Sequence, residues 1–407
     1  MLQVKQLLER TVALNGSDLH LKTDTGKTYV RIYGHLHELE DVPHFTPEEF
    51  SDGIGAILPP EQISAFHRDQ ELDFALEISG VARFRGNLFR QREHEQAVFR
   101  VIPLYIQTME ELRLPEACYG FVERPRGFVL VTGPAGSGKS TTLAAMIDRI
   151  NRTRSVHIVT VEDPIEFVHD DHLALLNQRE IGRDTHAFRY ALKYVLRQDP
   201  DVILVGEMRD LETIHLAITA AETGHLVFAT LHTVDAIQTV DRIIDVFPIH
   251  QQQQIRMQLS VNLLGVVSQT LVRLKDGDGR TAAFEVLNAT SAVRNNIREN
   301  KSYQISSIIQ TGLKQKMFSL DQSLVRLVMD GMVTKEDARS HAKEPGEFTR
   351  MLHLSEDAVI KNAKAGGDRK RRDSGPTQAP PVVEDVPEAP PVSGVQGQPN
   401  RPGYTRD

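Results

Sequence analysis

The sequence predicts a doubly wound α/β core bearing a phosphate-binding loop, with a smaller α+β region before it and a helical region after it. Three observations carry this reading. Short β-branched runs alternate with helical stretches between about residues 125 and 290, a glycine-rich loop lies at the first strand-to-helix junction of that region, and the composition changes on either side of it. The chain of 407 residues has room for two to three domains at roughly 150 residues each. Its 40% hydrophobic and 25% charged residues suit an ample buried core.

Residues 1–100 mix alternating runs, read as strands at Leu19–Leu21, Tyr29–Tyr33, Phe74–Ile78 and Phe84–Phe89, with helices at Pro47–Ile57 and Gln62–Gln70. Thr46 before Pro47 has the chemistry of an N-cap followed by proline at the first helical position. Residues 101–124 carry Pro103 and Pro115 and read as a linker with one short helix near Thr108–Leu112. In residues 125–290 the apolar runs Phe128–Thr132, His157–Val161, Val202–Val205 and His225–Leu231 suit parallel strands covered on both faces. Thr141–Asn151, Ala187–Arg197 and Leu211–Glu222 supply the intervening helices. Residues 291–364 have helical periodicity, as in Leu320–Met329 and Ser355–Lys364. The run Gln251–Gln254 reads as a solvated helix start. Residues 365–407 hold eight prolines and few large apolar side chains, too few to offset the entropy of ordering, so a disordered tail is expected.

The net charge is −8, which disfavours gripping nucleic acid by bulk positive charge. A lone cysteine, Cys118, excludes an internal disulfide and a four-cysteine zinc site and fits a reducing compartment. The amphipathic, charged start Met1–Arg10 does not have the pattern of a signal peptide. No uncharged run reaches the ~18–20 residues of a membrane span. A cytoplasmic chain is expected.

Gly133-Pro134-Ala135-Gly136-Ser137-Gly138-Lys139-Ser140 matches the phosphate-loop pattern, in the required position between an apolar strand and a helix that opens at Thr141. Its glycines let consecutive backbone N–H groups curl around phosphate oxygens, and the helix N-terminus adds positive potential. Lys139 is placed for the terminal phosphates of ATP, and Ser140 or Thr141 offers a hydroxyl to Mg²⁺. Val202–Val205 leads to Glu207 at the carboxyl end of a strand, where ligands of open α/β sheets bind. Glu207 is the second candidate Mg²⁺ contact, through water. Pro164 ends a strand and leaves Glu166 on a loop beside Glu162 and Asp163. Glu166 is the candidate general base. Carboxylates so close raise one another's pKa unless a cation shares the site.

His232 closes the strand His225–Leu231 and either senses the nucleotide or serves as a core or capping residue. His169-Asp-Asp-His172 reads as a solvated loop. P-loop motors use an additional arginine at the transition state. Arg83 and Arg85 alternate with Phe84, and Arg100 follows on another alternating run. All three lie in the region before the core, from which a domain movement would deliver charge to the nucleotide.

These residues resemble the type IV pilus retraction ATPases of the type II/IV secretion ATPase superfamily. The resemblance runs over residues 1–355 and includes Gly16–His20, the phosphate loop, Glu162–Glu166, Gly206–Asp210, Ala221–Leu226 and Thr230–His232. It implies a homohexamer with a PAS-like N-terminal domain and a RecA-like core, nucleotide held between the two. It also implies arginine fingers at Arg85 and Arg100, a catalytic Glu166 and a functional His232. The lone cysteine separates the chain from extension and secretion ATPases, which commonly carry a four-cysteine insertion. Ala292-Val-Arg-Asn-Asn-Ile-Arg-Glu299 parallels a retraction-ATPase motif, with Val293 and Asn296 departing, and Arg294 and Arg298 share a helix face suited to a partner. An inner-membrane pilus platform protein is the implied partner, and a paralogous retraction ATPase is another. The basic run Arg369–Arg372 is solvating or meets anionic lipid. The readings that stay in view are a retraction motor, an accessory or regulatory paralogue of the main motor, less so a type II secretion or pilus extension ATPase, a non-hydrolysing adaptor that rides on another ATPase, and a nucleic-acid translocase.

Overall fold

The first hundred residues build an antiparallel sheet because their apolar side chains alternate along each strand. The computed structural model describes residues 3–357 apart from Tyr33, Pro103 and Asp278. Helix α1 (Val4–Ala13) precedes strands β1 (Gly16–Lys22), β2 (Lys27–Ile32) and β3 (His35–Glu38). Helices α2 (Pro47–Gly55) and α3 (Pro60–Asp69) follow, then β4 (Glu71–Ile78), β5 (Ala82–Gln91) and β6 (His94–Ile102). The six strands lie in the order β3-β2-β1-β6-β5-β4. Thr46 caps α2 as its chemistry requires, accepting from the Glu49 amide while the Glu49 carboxylate accepts from the Thr46 amide. Leu8, Leu19, Val30, Phe84, Leu88 and Phe99 fill a core that belongs to this lobe alone.

The segment after β6 differs from expectation. Thr108–Leu112 forms hydrogen-bonded turns rather than a helix, with Glu111 and Thr108 satisfying each other's amides. The helix of this region is α4 (Glu116–Val122), whose Ala117, Cys118, Phe121 and Val122 are buried in the core that follows. Pro115 supplies its N-cap in extended conformation, which is why helix begins only after it.

The core runs β7 (Gly127–Thr132), α5 (Lys139–Thr153), β8 (His157–Glu162), β9 (Leu175–Glu180), α6 (Phe188–Val195), β10 (Val202–Val205), α7 (Leu211–Glu222) and β11 (Leu226–Leu231). It continues through α8 (Ala236–Asp245), α9 (Ile249–Asn262), β12 (Leu263–Arg273) and β13 (Arg280–Asn288). The sheet order is β13-β12-β7-β11-β10-β8-β9, parallel except for the closing β12–β13 pair. Every residue of β7, β10 and β11 is buried, as expected for strands covered on both faces. Strands β9, β12 and β13 were not anticipated. β9 carries polar side chains at an edge, and β12 and β13 pair through a run that lacks clean alternation. This is the RecA-like arrangement of the fold class read from sequence.

Helices α10 (Ser291–Arg298), α11 (Ile305–Thr311), α12 (Leu320–Met329) and α13 (Lys335–His341) follow, with further helix from 345 to 357. The expected helix Ser355–Lys364 lies largely outside the described residues, and the tail 365–407 with its basic run lies wholly outside them. Among the described residues, no helix is long and apolar enough to cross a membrane.

Candidate nucleotide site

The loop from Gly133 to Gly138 is shaped by positions that only glycine occupies without strain. Gly133 has φ +143°, and a Cβ there would overlap the carbonyl oxygen of Gln269. Gly138 is the left-handed N-cap of α5, so the helix opens at Lys139 rather than at Thr141. Ser140 and Thr141 therefore lie in its first turn, where unbonded amides and the helix dipole favour an anion. Ala135, Gly136, Gly138, Lys139, Ser140 and Thr141 line a cleft of about 2060 Å³, while Gly133 and Ser137 are buried beneath it and Pro134 is exposed.

Gln269 on β12 fastens this loop. Its Nε2 donates to the Ser137 carbonyl at 2.6 Å, and its Oε1 accepts from Thr142 Oγ1 at 2.9 Å. The neighbouring Ser268 and Thr132 hydroxyls bond each other at 2.8 Å. Gln269 was not singled out from sequence, because it lies over a hundred residues away in an unrecognised strand.

Lys139 turns back on its own loop, donating to the carbonyls of Gly133 and Pro134 at 3.0 Å each. Burial pulls its pKa down, opposed by the charges of Glu207 and Glu166. Both carboxylates line the same cleft as the loop. A half-buried ammonium whose bonds go to weakly accepting carbonyls, beside an amide-rich helix start, fits a polyphosphate. The donor set of Ser140 hydroxyl and nearby carboxylate oxygen fits Mg²⁺, a hard cation.

Glu207 follows β10 and is half-buried. Arg209 donates to both its oxygens at 2.7 and 2.8 Å, and His232 Nε2 lies 2.8 Å from Oε1. Burial raises its pKa, but the Arg209 hydrogen bonds and the His232 and Arg209 charges outweigh that, leaving the carboxyl below its ordinary range. Arg209 lies two residues past Glu207 in Gly206–Asp210, and the position two residues on from a carboxylate at a strand end was the signal that could have found it. His232 is half-exposed at the C-terminal end of β11, so it lies in the cleft and not in the core. Thr230 beneath it hydrogen-bonds the Gly206 carbonyl and ties the two strand ends together.

The acidic loop leaves β8 at Glu162. Asp163 and Glu166 line the same cleft, and the residue whose pKa rises is Glu162. Loss of hydration pushes it up to about 7, against the Thr160 and Gln178 donors, with the Glu166 charge adding a smaller push. Glu162 Oε1 accepts from Thr160 Oγ1 at 2.6 Å and Gln178 Nε2 at 3.2 Å, which ties its carboxyl to β8 and β9 while it lines the cleft together with Glu166.

The opposite wall comes from the N-terminal lobe. Arg31, Asp18, Arg100 and Arg85 are successive cross-strand neighbours on β2, β1, β6 and β5. Asp18 is buried and receives Arg100 Nε at 2.9 Å, with Arg31 Nε at 3.7 Å on its other side. Among the described residues, Arg85 has no hydrogen-bond or ion-pair partner. Both arginines line the cleft with Lys139, Glu166, Glu207 and His232 of the same chain. Arg83 does not join them. It projects from the same face of β5 but is taken up in a buried pair with Glu180 of β9 at 3.1 Å.

Two sequence expectations change outside the cleft. Arg294 is not displayed for a partner; it donates to the carbonyls of Ala289 (2.8 Å), Ser260 (2.6 Å), Val261 and Leu263 (2.8 Å), closing the end of α9. His169 is half-buried rather than solvated, and burial lowers its pKa to about 4. Among the described residues no group of three or more His, Cys, Asp or Glu is arranged to hold a metal.

A family model described as type II/IV secretion system protein matches residues 3–340. A twitching motility protein of Neisseria gonorrhoeae is 50% identical over 314 residues, covering 77% of this chain and 84% of that protein. The type IV pilus retractation ATPase PilT of Pseudomonas aeruginosa is 49% identical over 347 residues, 85% of this chain and 100% of its own length. The type IV pilus ATPase PilU of the same organism is 37% identical over 357 residues, 88% and 93%. The crystal structure of the pilus retraction motor PilT with bound ADP superposes with a TM-score of 0.79 at 43% identity, covering 86% of this chain and 100% of that one. The chain belongs to the type II/IV secretion system protein family and, within it, to the type IV pilus retraction ATPases.

Proposed function

We propose that the chain is an ATP-hydrolysing motor that works as a homohexamer to retract type IV pili by disassembling them, acting on an inner-membrane platform protein from the cytoplasmic side. The observation that supports this most directly is the single cleft with a phosphate loop on one wall and unpaired Arg85 on the other. The phosphate loop and Lys139 would hold the triphosphate. Glu166 takes the proton from the attacking water, and Arg85 with Arg100 faces the charge that develops on the transferred phosphoryl group. Ser140 and Glu207 would hold Mg²⁺, which neutralises phosphate charge. His232, hydrogen-bonded to Glu207, links the β11 end to the same carboxylate. Because the arginines and the phosphate loop sit in different lobes, turnover opens and closes the cleft, and successive closures around a ring perform work.

The identity to PilT, greater than that to PilU, favours the principal motor over an accessory paralogue. The test is ATP turnover by the purified chain together with the phenotype of cells lacking it. Steady hydrolysis and cells that stay piliated but cannot retract support the reading. A chain that binds ATP without turning it over is an adaptor, and hydrolysis stimulated severalfold by DNA makes it a translocase.

A further inference from the structure

The two lobes of residues 3–355 have separate apolar cores, one built on Leu19, Phe84 and Phe99 and the other on the parallel sheet. A buried ion pair bridges them. Arg83 of β5 meets Glu180 at the end of β9, with side chains only 10% and 11% exposed. The same Glu180 oxygen, Oε2, accepts from Arg83 Nη2 at 3.1 Å and from the backbone amide of Ile165 at 3.1 Å. Ile165 is buried and directly precedes Glu166. Glu180 lies opposite Glu162 in the β8–β9 register, beside the point where the acidic loop departs. Asp184 holds the Glu180 amide at 2.8 Å from the other side.

This geometry points to Arg83 as a positioning residue for the acidic loop. A carboxylate this buried is costly without its counter-charge. With Arg83 in place, Glu180 is paired and anchors Ile165, which fixes the loop that presents Glu166 to the cleft. With the N-terminal lobe withdrawn, Glu180 loses its cation and the loop loses a strong acceptor. Seating of the lobe therefore does two things through one strand: Arg85 faces the cleft, and two residues earlier Arg83 sets the base. The inference rests on the reading of Glu166 as general base.

The experiment compares the full-length wild type with Arg83→Ala, Arg83→Lys and Glu180→Gln. It reads kcat and KM for ATP, and hydrogen exchange of a peptide containing residues 163–167. Arg83→Ala is expected to lower kcat about tenfold while KM stays within about twofold, because the bonds of the phosphate loop are untouched, and to speed exchange at Ile165 by up to about tenfold, the scale of one hydrogen bond. Arg83→Lys restores most of both. Glu180→Gln keeps an acceptor for Ile165 but removes the charge, and falls between. Unchanged exchange in Arg83→Ala overturns the inference, as does a kcat loss that Arg83→Lys does not recover. The exchange measurement needs no turnover, so a wild-type chain that fails to hydrolyse ATP defeats the motor reading alone.

Discussion

At the scale of single residues, the cleft separates binding from chemistry. Lys139 is the cation that the phosphate loop itself carries, so Lys139→Ala should weaken ATP binding by tenfold or more in a titration. Glu166→Ala leaves that wall intact. Its expected signature is near-normal binding with turnover reduced roughly 10²-fold, the scale of a lost general base. Normal turnover in that variant would move the base elsewhere. Glu162 makes a different prediction. Its folded pKa of about 7 lies above the ordinary glutamate value of 4.5. The folded state then holds a proton that the unfolded chain has released, so this residue's contribution is complete below pH 4.5 and fades as pH rises through 7. Glu162→Gln, which cannot ionise, should raise the melting temperature relative to wild type at pH 8 and leave the difference small near pH 5. A constant difference at both pH values would show that burial does not hold Glu162 protonated. The crowding of carboxylates was legible in Glu162-Asp-Pro-Ile-Glu166. Which of them carries the proton was not, because that depends on how deeply the folded sheet buries one side chain, an effect that outweighs the Thr160 and Gln178 donors.

Among elements, the strands of the parallel sheet were readable because burial on both faces writes an unbroken apolar run, as in Phe128–Thr132 and Val202–Val205. β9 was not. It is an edge strand with the polar sequence Leu-Leu-Asn-Gln-Arg-Glu, and its order comes from pairing with β8. The turn at Thr108–Leu112 likewise has a helix-like start, with Thr108 and Glu111 in capping positions, but the backbone passes into left-handed conformation at Arg113 and the turn ends there. Arg294 shows the same gap between pattern and structure. On the sequence it shares a helix face with Arg298, yet its guanidinium faces inward to four carbonyls around the end of α9. Helix ends leave carbonyls unbonded, and a cation there is favourable. Removing it takes the donor from several part-buried carbonyls, so Arg294→Ala should cost about 1–3 kcal/mol in denaturant unfolding. Arg298, bonded to Asn295 at 3.4 Å, should cost under about 0.5 kcal/mol. Equal losses would return Arg294 to the surface role.

Across the whole molecule, the question is whose arginine faces whose nucleotide. A ring admits two answers, since the N-terminal lobe of one subunit can lie over its own core or over a neighbour's. The alternation Arg83-Phe-Arg85 announced a charged strand face but not its destination, because the strand order β1-β6-β5 and the seating of the lobe are tertiary facts. In this structure Arg85 and Arg100 share a cleft with Lys139 of the same chain, and the lobe is held there by Arg83 and Glu180. Asp18 aligns Arg100 while Arg85 is left to meet a ligand. This arrangement predicts the outcome of subunit mixing. Combine Arg85→Ala chains, which have a sound loop, with Lys139→Ala chains, which have a sound arginine, and verify by differential tagging that the subunits exchange. If each site takes both groups from one chain, every site in the mixture is defective, and turnover equals the average of the two variants alone. If the arginine crosses to a neighbour, some interfaces pair a sound loop with a sound arginine, and turnover rises severalfold above that average. The expected result is the plain average.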